Sequence, residues 1–114
     1  MTDTKVLCVE HHPEYMEALK YMLEAVGYEV MAAATGGQAL NIMRDQEVLG
    51  VLLEYDLPDA AGSEIRYEMK RIRPEVPVLL FNGVGSQTPF LVRFFDSYLR
   101  NTERPENVFR DADG

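Results

Sequence analysis

Two short apolar runs that each end at a carboxylate constrain the fold of this chain more than any other feature. Residues 51–53 (Val-Leu-Leu) lead directly into Glu54, and residues 6–9 (Val-Leu-Cys-Val) lead in the same way into Glu10. Apolar runs of this length are typical of buried strands. In an open α/β sheet the carboxyl ends of the strands form the ligand-binding edge, so both acids are predicted to line one pocket.

Strand-like runs alternate with amphipathic, helix-like segments through residue 81. Short apolar and β-branched runs predict strands over residues 5–9, 28–33, 49–53 and 76–81. Apolar residues three and four positions apart predict helices over residues 13–26, 35–44 and 63–73. This order predicts an α/β fold, with a parallel sheet, right-handed crossover connections and helices on both faces.

Residues that favour helix ends support these boundaries. Pro13 suits the first turn of a helix, and Gly27 suits the position just after its end. Thr35 and Ser63 are predicted to cap the next two helices, because their hydroxyl oxygens can accept hydrogen bonds from free backbone N–H groups. The helix after Ser63 must end before Pro74.

The segment that begins at residue 88 permits two interpretations. One ends a helix near Phe95 and makes residues 97–100 a fifth strand, whereas the other continues the helix through Leu99 and leaves four strands. We expect the fifth strand, because the fourth would otherwise have a bare edge. The aromatic side chains expected in the core are Phe90, Phe94, Phe95 and Tyr98.

Length and composition limit the domain count and the class of function. We expect the 114 residues to form a single domain, with a core over 5–101 and a segment at 102–114 that adds a short helix at 105–110 and a frayed end at 111–114. Nineteen acids against 11 bases give a net charge of −8, which disfavours nucleic-acid binding. No signal peptide or membrane-spanning run is present, so we expect a cytoplasmic protein with no membrane contact. The single Cys8 is expected to be a small buried side chain.

Four stretches resemble the receiver domain of response regulators. In chain order they are Val9-Glu10-His11-His12-Pro13, residues 24–30 (EAVGYEV), residues 52–58 (LLEYDLP) with Gly62, and residues 71–78 (RIRPEVPV). The resemblance covers about residues 5–101. It implies a flavodoxin-like, doubly wound parallel sheet with five strands, and a module of two-component signal transduction that accepts phosphate from a histidine kinase.

At the positions where receivers carry their functional residues, this chain carries others. The resemblance places Glu10 and His11 at the acidic pair after the first strand, and Glu54 at the phosphoacceptor aspartate. Asp56 is expected in the same acidic pocket. The positions that correspond to the family's switch hydroxyl, switch aromatic and lysine are Asn82, Tyr98 and Asn101.

These replacements predict a pocket that does not accept phosphate usefully. Mg²⁺ requires oxygen ligands at about 2.1 Å, so the nitrogen of His11 weakens its site, and Glu10 and Glu54 are the remaining ligands for a metal. No other cofactor is expected. Glu54 is one methylene longer than aspartate, and a misplacement of about 1 Å costs on the order of a hundredfold in rate. We expect a locked module, in which the Asn82 amide donates a hydrogen bond to Glu54.

Three functions remain open. The first is a degenerate receiver (a pseudo-receiver) that is not an enzyme and acts by contact with a histidine kinase, another regulator or a second copy of itself. The second is a working phosphoacceptor of a phosphorelay that uses Glu54 or Asp56. The third is a metal-dependent phosphohydrolase, whose Asp-x-Asp motif the Glu54-Tyr55-Asp56 spacing imitates with the wrong nucleophile.

The pair His11-His12 invites interpretation as a zinc or nickel site, which we do not favour. Side chains of adjacent residues diverge, and no CxxC or HxxxH spacing supports such a site. We expect the two imidazoles to face solvent at the entrance to a helix. Asp59 is interpreted as a turn residue after Pro58.

Overall fold

The computed structural model describes residues 4–83 and 87–101, in which four strands alternate with four helices. The elements are β1 (Lys5–Val9), α1 (Pro13–Ala25), β2 (Glu29–Ala33), α2 (Gly36–Asp45), β3 (Gly50–Glu54), α3 (Gly62–Ile72), β4 (Val78–Phe81) and α4 (Thr88–Arg100). The strands form one parallel sheet in the order β2-β1-β3-β4. The predicted doubly wound α/β arrangement is confirmed, with element ends that differ from the prediction by one or two residues.

The core lies in two layers because side chains alternate across the sheet. Leu7 and Leu53 face α2 and α3, where they join the buried Met43, Ile65 and Met69. The intervening residues of the same strands face α1 and α4; this second layer includes Val6, Cys8, Leu52, Leu19, Leu23, Val92 and Phe95. The prediction for Cys8 is therefore confirmed, and its burial raises the pKa of the thiol.

The helix ends follow local sequence in two cases and depart from it in a third. Thr35 caps α2, as predicted, by accepting a hydrogen bond from the Gln38 N–H at 3.1 Å. Gly27 adopts φ +110° just after α1, which is the left-handed conformation that suits a helix stop. The prediction for Ser63 is wrong, since Ala61 is the N-cap of α3 and makes no side-chain cap bond.

The prediction of a fifth strand is wrong for the described residues, because α4 continues as a helix from Thr88 to Arg100. Val92 and Phe95 lie three residues apart on the face of α4 that is buried, and Leu99 extends that face by one turn. Burying this stripe against α1 and the sheet requires helical spacing through Leu99. The predicted final helix at 105–110 and the end at 111–114 lie outside the described residues.

Two of the four aromatic residues expected in the core lie on the surface. Phe95 is fully buried, but Phe90 and Phe94 are 70% and 49% exposed. The orientation of α4 about its axis places Val92, and not Phe94, in the core. Within residues 4–83 and 87–101, no helix qualifies as a membrane span.

Asp59 is more than a turn residue, because it caps a helix distant in the sequence. Its two carboxylate oxygens accept hydrogen bonds from the backbone N–H groups of Gly36 (2.9 Å) and Gly37 (3.0 Å), at the start of α2. These bonds lower the pKa of Asp59. Since a lowered pKa in the folded state adds stability only while the group is ionised, this contribution is present at neutral pH and is lost as the pH falls through that pKa.

Replacement of Asp59 by asparagine should lower the free energy of unfolding by about 1 kcal/mol at pH 7, because the amide has one oxygen and can accept only one of the two charge-assisted hydrogen bonds. Urea unfolding at pH 7 and at pH 3 measures the effect, and the difference from the original chain should shrink at the lower pH. Asp45→Asn at the opposite end of α2 is the matched control and should change stability by less than about 0.5 kcal/mol. Equal effects of the two substitutions would contradict the proposed cap.

Candidate functional site

The carboxyl ends of β1 and β3 bring two acids together at one edge of the sheet. Val9 pairs with Leu53 in the register, so that Glu10 and Glu54 follow at the same level. Both are buried, with 1% and 4% of their surface exposed. The structure thus brings the two predicted acids together at the carboxyl ends of β1 and β3.

Glu54 is held in place by the loop that follows it. Its Oε2 accepts a hydrogen bond from the Asp56 N–H at 2.9 Å. The loop closes on itself through a bond from the Gly62 N–H to the Tyr55 carbonyl at 2.6 Å. A Cβ atom at Gly62 would lie 2.6 Å from the Glu54 carbonyl oxygen, so only glycine permits this approach.

Glu10 and Glu54 form a pair of buried carboxyl groups. Burial is the main cause that raises the pKa of Glu54, and the negative charge of Glu10 raises it further. The backbone N–H groups of Asp56 and Gly83 oppose this shift. Burial and the neighbouring Glu10 charge therefore both favour the protonated form of Glu54.

His11 and His12 both turn toward Glu10. The Glu10 Oε2 atom accepts a hydrogen bond from the His12 backbone N–H at 2.9 Å, and lies 3.1 Å from His12 Nδ1 and 3.8 Å from His11 Nδ1. The ring centroids are 4.0 Å apart. The prediction that these side chains diverge is wrong, because the chain bends between β1 and α1 and folds both rings over the Glu10 carboxylate.

Other predicted site residues lie at the edge of this pocket or outside it. Asp56 is exposed and contributes its backbone N–H, not its carboxylate, to Glu54. Asn82 is exposed just after β4. Within the described ranges its amide makes no hydrogen bond to Glu54; the Gly83 N–H is the group from this loop that favours the charged form of Glu54.

Tyr98 and Asn101 lie far from the pocket. Leu99, between them in sequence, packs against Gly50, since a Cβ at Gly50 would lie 2.6 Å from its side chain. Gly50 begins β3 and Glu54 ends it. The last turn of α4 therefore lies at the end of the sheet where the strands begin, opposite to the end that carries Glu54. Asn101, just after that turn, is therefore not placed to contact a group bound at Glu54.

No lysine or arginine supplies a counter-charge in the described part of the pocket. The basic side chains within 4.0 Å of Glu10 there are the imidazoles of His11 and His12, and Glu54 has none within that distance. The site is thus two buried acids capped by two imidazoles. Within the described residues, it lacks the positive side chain that would balance a phosphoryl group.

Comparison with known proteins identifies the family. The sequence model of the response regulator receiver domain matches residues 6–97. The chain belongs to this family. The prediction of a two-component receiver domain is therefore confirmed at the level of the family.

Solved receiver domains share the fold. A CheY-like receiver domain protein from Methanospirillum hungatei is 26% identical with a TM-score of 0.70, over 79% of this chain and 73% of that one. The receiver domain of the sensor kinase PA1611 from Pseudomonas aeruginosa, solved with magnesium in its active-site cleft, is 25% identical with a TM-score of 0.68, over 75% and 72%. TrrA from Thermotoga maritima, solved with Mg²⁺ and BeF, is 23% identical with a TM-score of 0.68, over 77% and 80%.

Curated relatives are longer proteins. The transcriptional regulatory protein GlrR of Escherichia coli is 25% identical over 81 residues, which are 71% of this receiver and 18% of GlrR. KdpE of Mycobacterium tuberculosis is 34% identical over 62 residues, 54% of this receiver and 27% of KdpE. The chain thus spans less than a third of the length of either relative.

Sequence reasoning located the strand-end acids of this receiver but missed the role of His12. A glutamate followed directly by two histidines at a strand-to-helix junction was the available signal. The sequence predicts that the two histidines diverge because adjacent side chains in a strand point to opposite faces, whereas at this bend the two rings lie together.

Proposed function

We propose that this receiver does not accept phosphate and that it acts through protein–protein contact. The observation that carries the proposal is the buried environment of Glu54, which lies where the resemblance places the phosphoacceptor. Its carboxylate is buried, bonded to the Asp56 N–H and next to a second acid. An acyl phosphate there would add a dianionic group beside Glu10.

The surroundings of Glu54 also disfavour phosphoryl transfer. Transfer needs Mg²⁺ and positive groups aimed at the phosphoryl oxygens. His11 replaces one carboxylate of the acidic pair, and Asn101 lies at the far edge of the sheet. Glu54 instead presents a carboxyl group that stays unphosphorylated. A site that does not change in this way supports a locked module.

An exposed apolar surface on α4 is the candidate contact region. Phe90 and Phe94 stand next to a cleft of about 580 Å³ between β4 and α4. β4 pairs only with β3 within the described residues, which leaves its other edge open to a partner. A histidine kinase, another regulator or a second copy of the chain is the class of partner that we propose for this surface.

Phosphodonors should leave this receiver unmodified. The full chain is incubated with acetyl phosphate and Mg²⁺ and examined by intact mass, and with beryllofluoride and Mg²⁺ and examined by fluorine NMR. We expect no adduct in either case, and light scattering should give the same molar mass with and without beryllofluoride. TrrA, which was solved with Mg²⁺ and BeF, is the positive control.

A stable adduct would overturn the proposal and would then identify the acceptor. Loss of the adduct in Glu54→Gln, with retention in Asp56→Asn, assigns it to Glu54; the reverse pattern assigns it to the exposed Asp56 and favours a phosphorelay role. Hydrolysis of p-nitrophenyl phosphate by the same preparation would instead support the phosphohydrolase alternative.

A further inference from the structure

The segment Glu10-His11-His12 gathers three metal-ligand atoms at the junction of β1 and α1. One carboxylate oxygen and one ring nitrogen from each histidine lie within 4.8 Å of one another. In the described ranges this is the only group of three or more histidine, cysteine, aspartate or glutamate side chains so arranged. The arrangement comes from three consecutive residues, not from the strand-end acids alone.

Two atoms of this group are buried without a hydrogen-bond partner among the described residues, namely Glu10 Oε1 and His11 Nδ1. The Glu10 side chain has no exposed surface. A buried carboxylate without a counter-cation is costly. A bound cation would interact at once with the carboxylate and with the unpartnered His11 Nδ1 atom.

Two of the three distances between the ligand atoms are close to those of a zinc site. Tetrahedral ligands at about 2.1 Å from zinc stand about 3.4 Å from one another. Glu10 Oε2 lies 3.1 Å from His12 Nδ1 and 3.8 Å from His11 Nδ1. The His12 backbone N–H, bonded to the same carboxylate oxygen, orients the acid as an outer-shell donor does in metal sites.

We propose that Glu10, His11 and His12 bind a divalent transition metal of the zinc class, with the fourth position open to solvent. Imidazole nitrogens select Zn²⁺, Co²⁺, Ni²⁺ or Cu²⁺ over Mg²⁺, which requires oxygen ligands. The side chain of His12 is 52% exposed and that of His11 31% exposed, which provides an entry path. The ligand set uses His12, which the expected Mg²⁺ site does not include, and it does not depend on whether Glu54 accepts phosphate.

The first turn of α1 limits the affinity of this site for a metal ion. The positive end of the helix dipole disfavours a cation near His12. The Glu10 carboxylate offsets this effect, and its charge is therefore essential to the site. If the two imidazoles bound the metal without the carboxylate, replacement of Glu10 would leave the metal affinity unchanged.

The test is a titration of the full chain, first treated with EDTA and dialysed, with Co²⁺ followed by its visible absorption and with Zn²⁺ followed by calorimetry. We expect one ion per chain, a tetrahedral Co²⁺ spectrum that Zn²⁺ abolishes, and no competition from millimolar Mg²⁺. His11→Ala, His12→Ala and Glu10→Gln should each weaken Zn²⁺ binding by about tenfold or more. Glu14→Gln, an exposed acid in the first turn of α1, is the matched control and should bind as the original chain does.

Circular dichroism verifies that each variant folds. Since His12 is largely exposed, its alanine variant should fold even if Glu10→Gln does not. Absence of Zn²⁺ binding by the original chain, unchanged binding in His12→Ala, or unchanged binding in a folded Glu10→Gln would each overturn the proposal. The titration contains no phosphodonor, so its failure would leave the proposed function untouched.

Discussion

Replacing Gly62 with alanine is expected to destabilise the domain by about 3 kcal/mol or more, the upper range for overpacking against atoms that cannot move aside. An added Cβ would lie 2.6 Å from both the Glu54 carbonyl oxygen and the Tyr55 Cα, and 2.9 Å from Leu80. The first two contacts are backbone atoms at the end of β3. Relief would therefore require the strand end that carries Glu54 to shift, so the pocket should be disturbed together with the fold.

Urea unfolding of Gly62→Ala against the original chain measures this effect. Gly37→Ala is the matched control, because a Cβ there would meet only a carboxylate oxygen of Asp59 at 3.7 Å, an ordinary contact. In α2 that substitution should be neutral or stabilising by up to about 1 kcal/mol, since alanine favours helix. Equal stability of the two variants would show that the loop after β3 adapts more freely than its close packing indicates.

Replacing Glu54 with glutamine is expected to stabilise the domain at pH 7 to 8 by about 1 to 2 kcal/mol. The substitution removes one of two neighbouring buried carboxylates. The amide oxygen can still accept the bond from the Asp56 N–H, and the amide nitrogen can donate to Glu10, whose Oε1 has no donor among the described residues. The gain in stability comes from lost repulsion and a new hydrogen bond.

The raised pKa of Glu54 determines how the stability of the domain changes with pH. The pKa of Glu54 is raised in the folded state, chiefly by burial, so the folded chain binds a proton more tightly than the unfolded chain does. Its stability contribution is fully present below the unfolded pKa, about 4.3, and is lost as the pH rises through the raised pKa. The original chain should weaken across that interval, and Glu54→Gln should weaken less.

Urea unfolding between pH 4 and pH 8 in the presence of EDTA measures both curves without a bound metal. Glu47→Gln, at an exposed acid before β3, is the matched control and should follow the original chain. A Glu54→Gln variant less stable than the original chain at pH 8 would contradict the prediction that the two carboxylates repel each other.

The residues of the site that the sequence predicts are those at the ends of strands. Glu10 and Glu54 each follow an apolar run, and parallel strands deliver their carboxyl ends to one edge, so their meeting needed no distance information. His12 and Asn101 show where this reasoning stops. The first depends on the bend of three residues between β1 and α1, and the second on which edge of the sheet the last turn of α4 reaches.

Local sequence determined the alternation of strands and helices through β4, the cap at Thr35 and the stop at Gly27, because periodicity and backbone preferences act within a few residues. Only the tertiary structure decided that α4 continues to Arg100, that Val92 and not Phe94 enters the core, and that two imidazoles face Glu10. Neighbouring stripes of α4 are similarly apolar, so their rotation is chosen by the surfaces of α1 and the sheet. Those surfaces form from residues distant in the chain, and no local pattern encodes them.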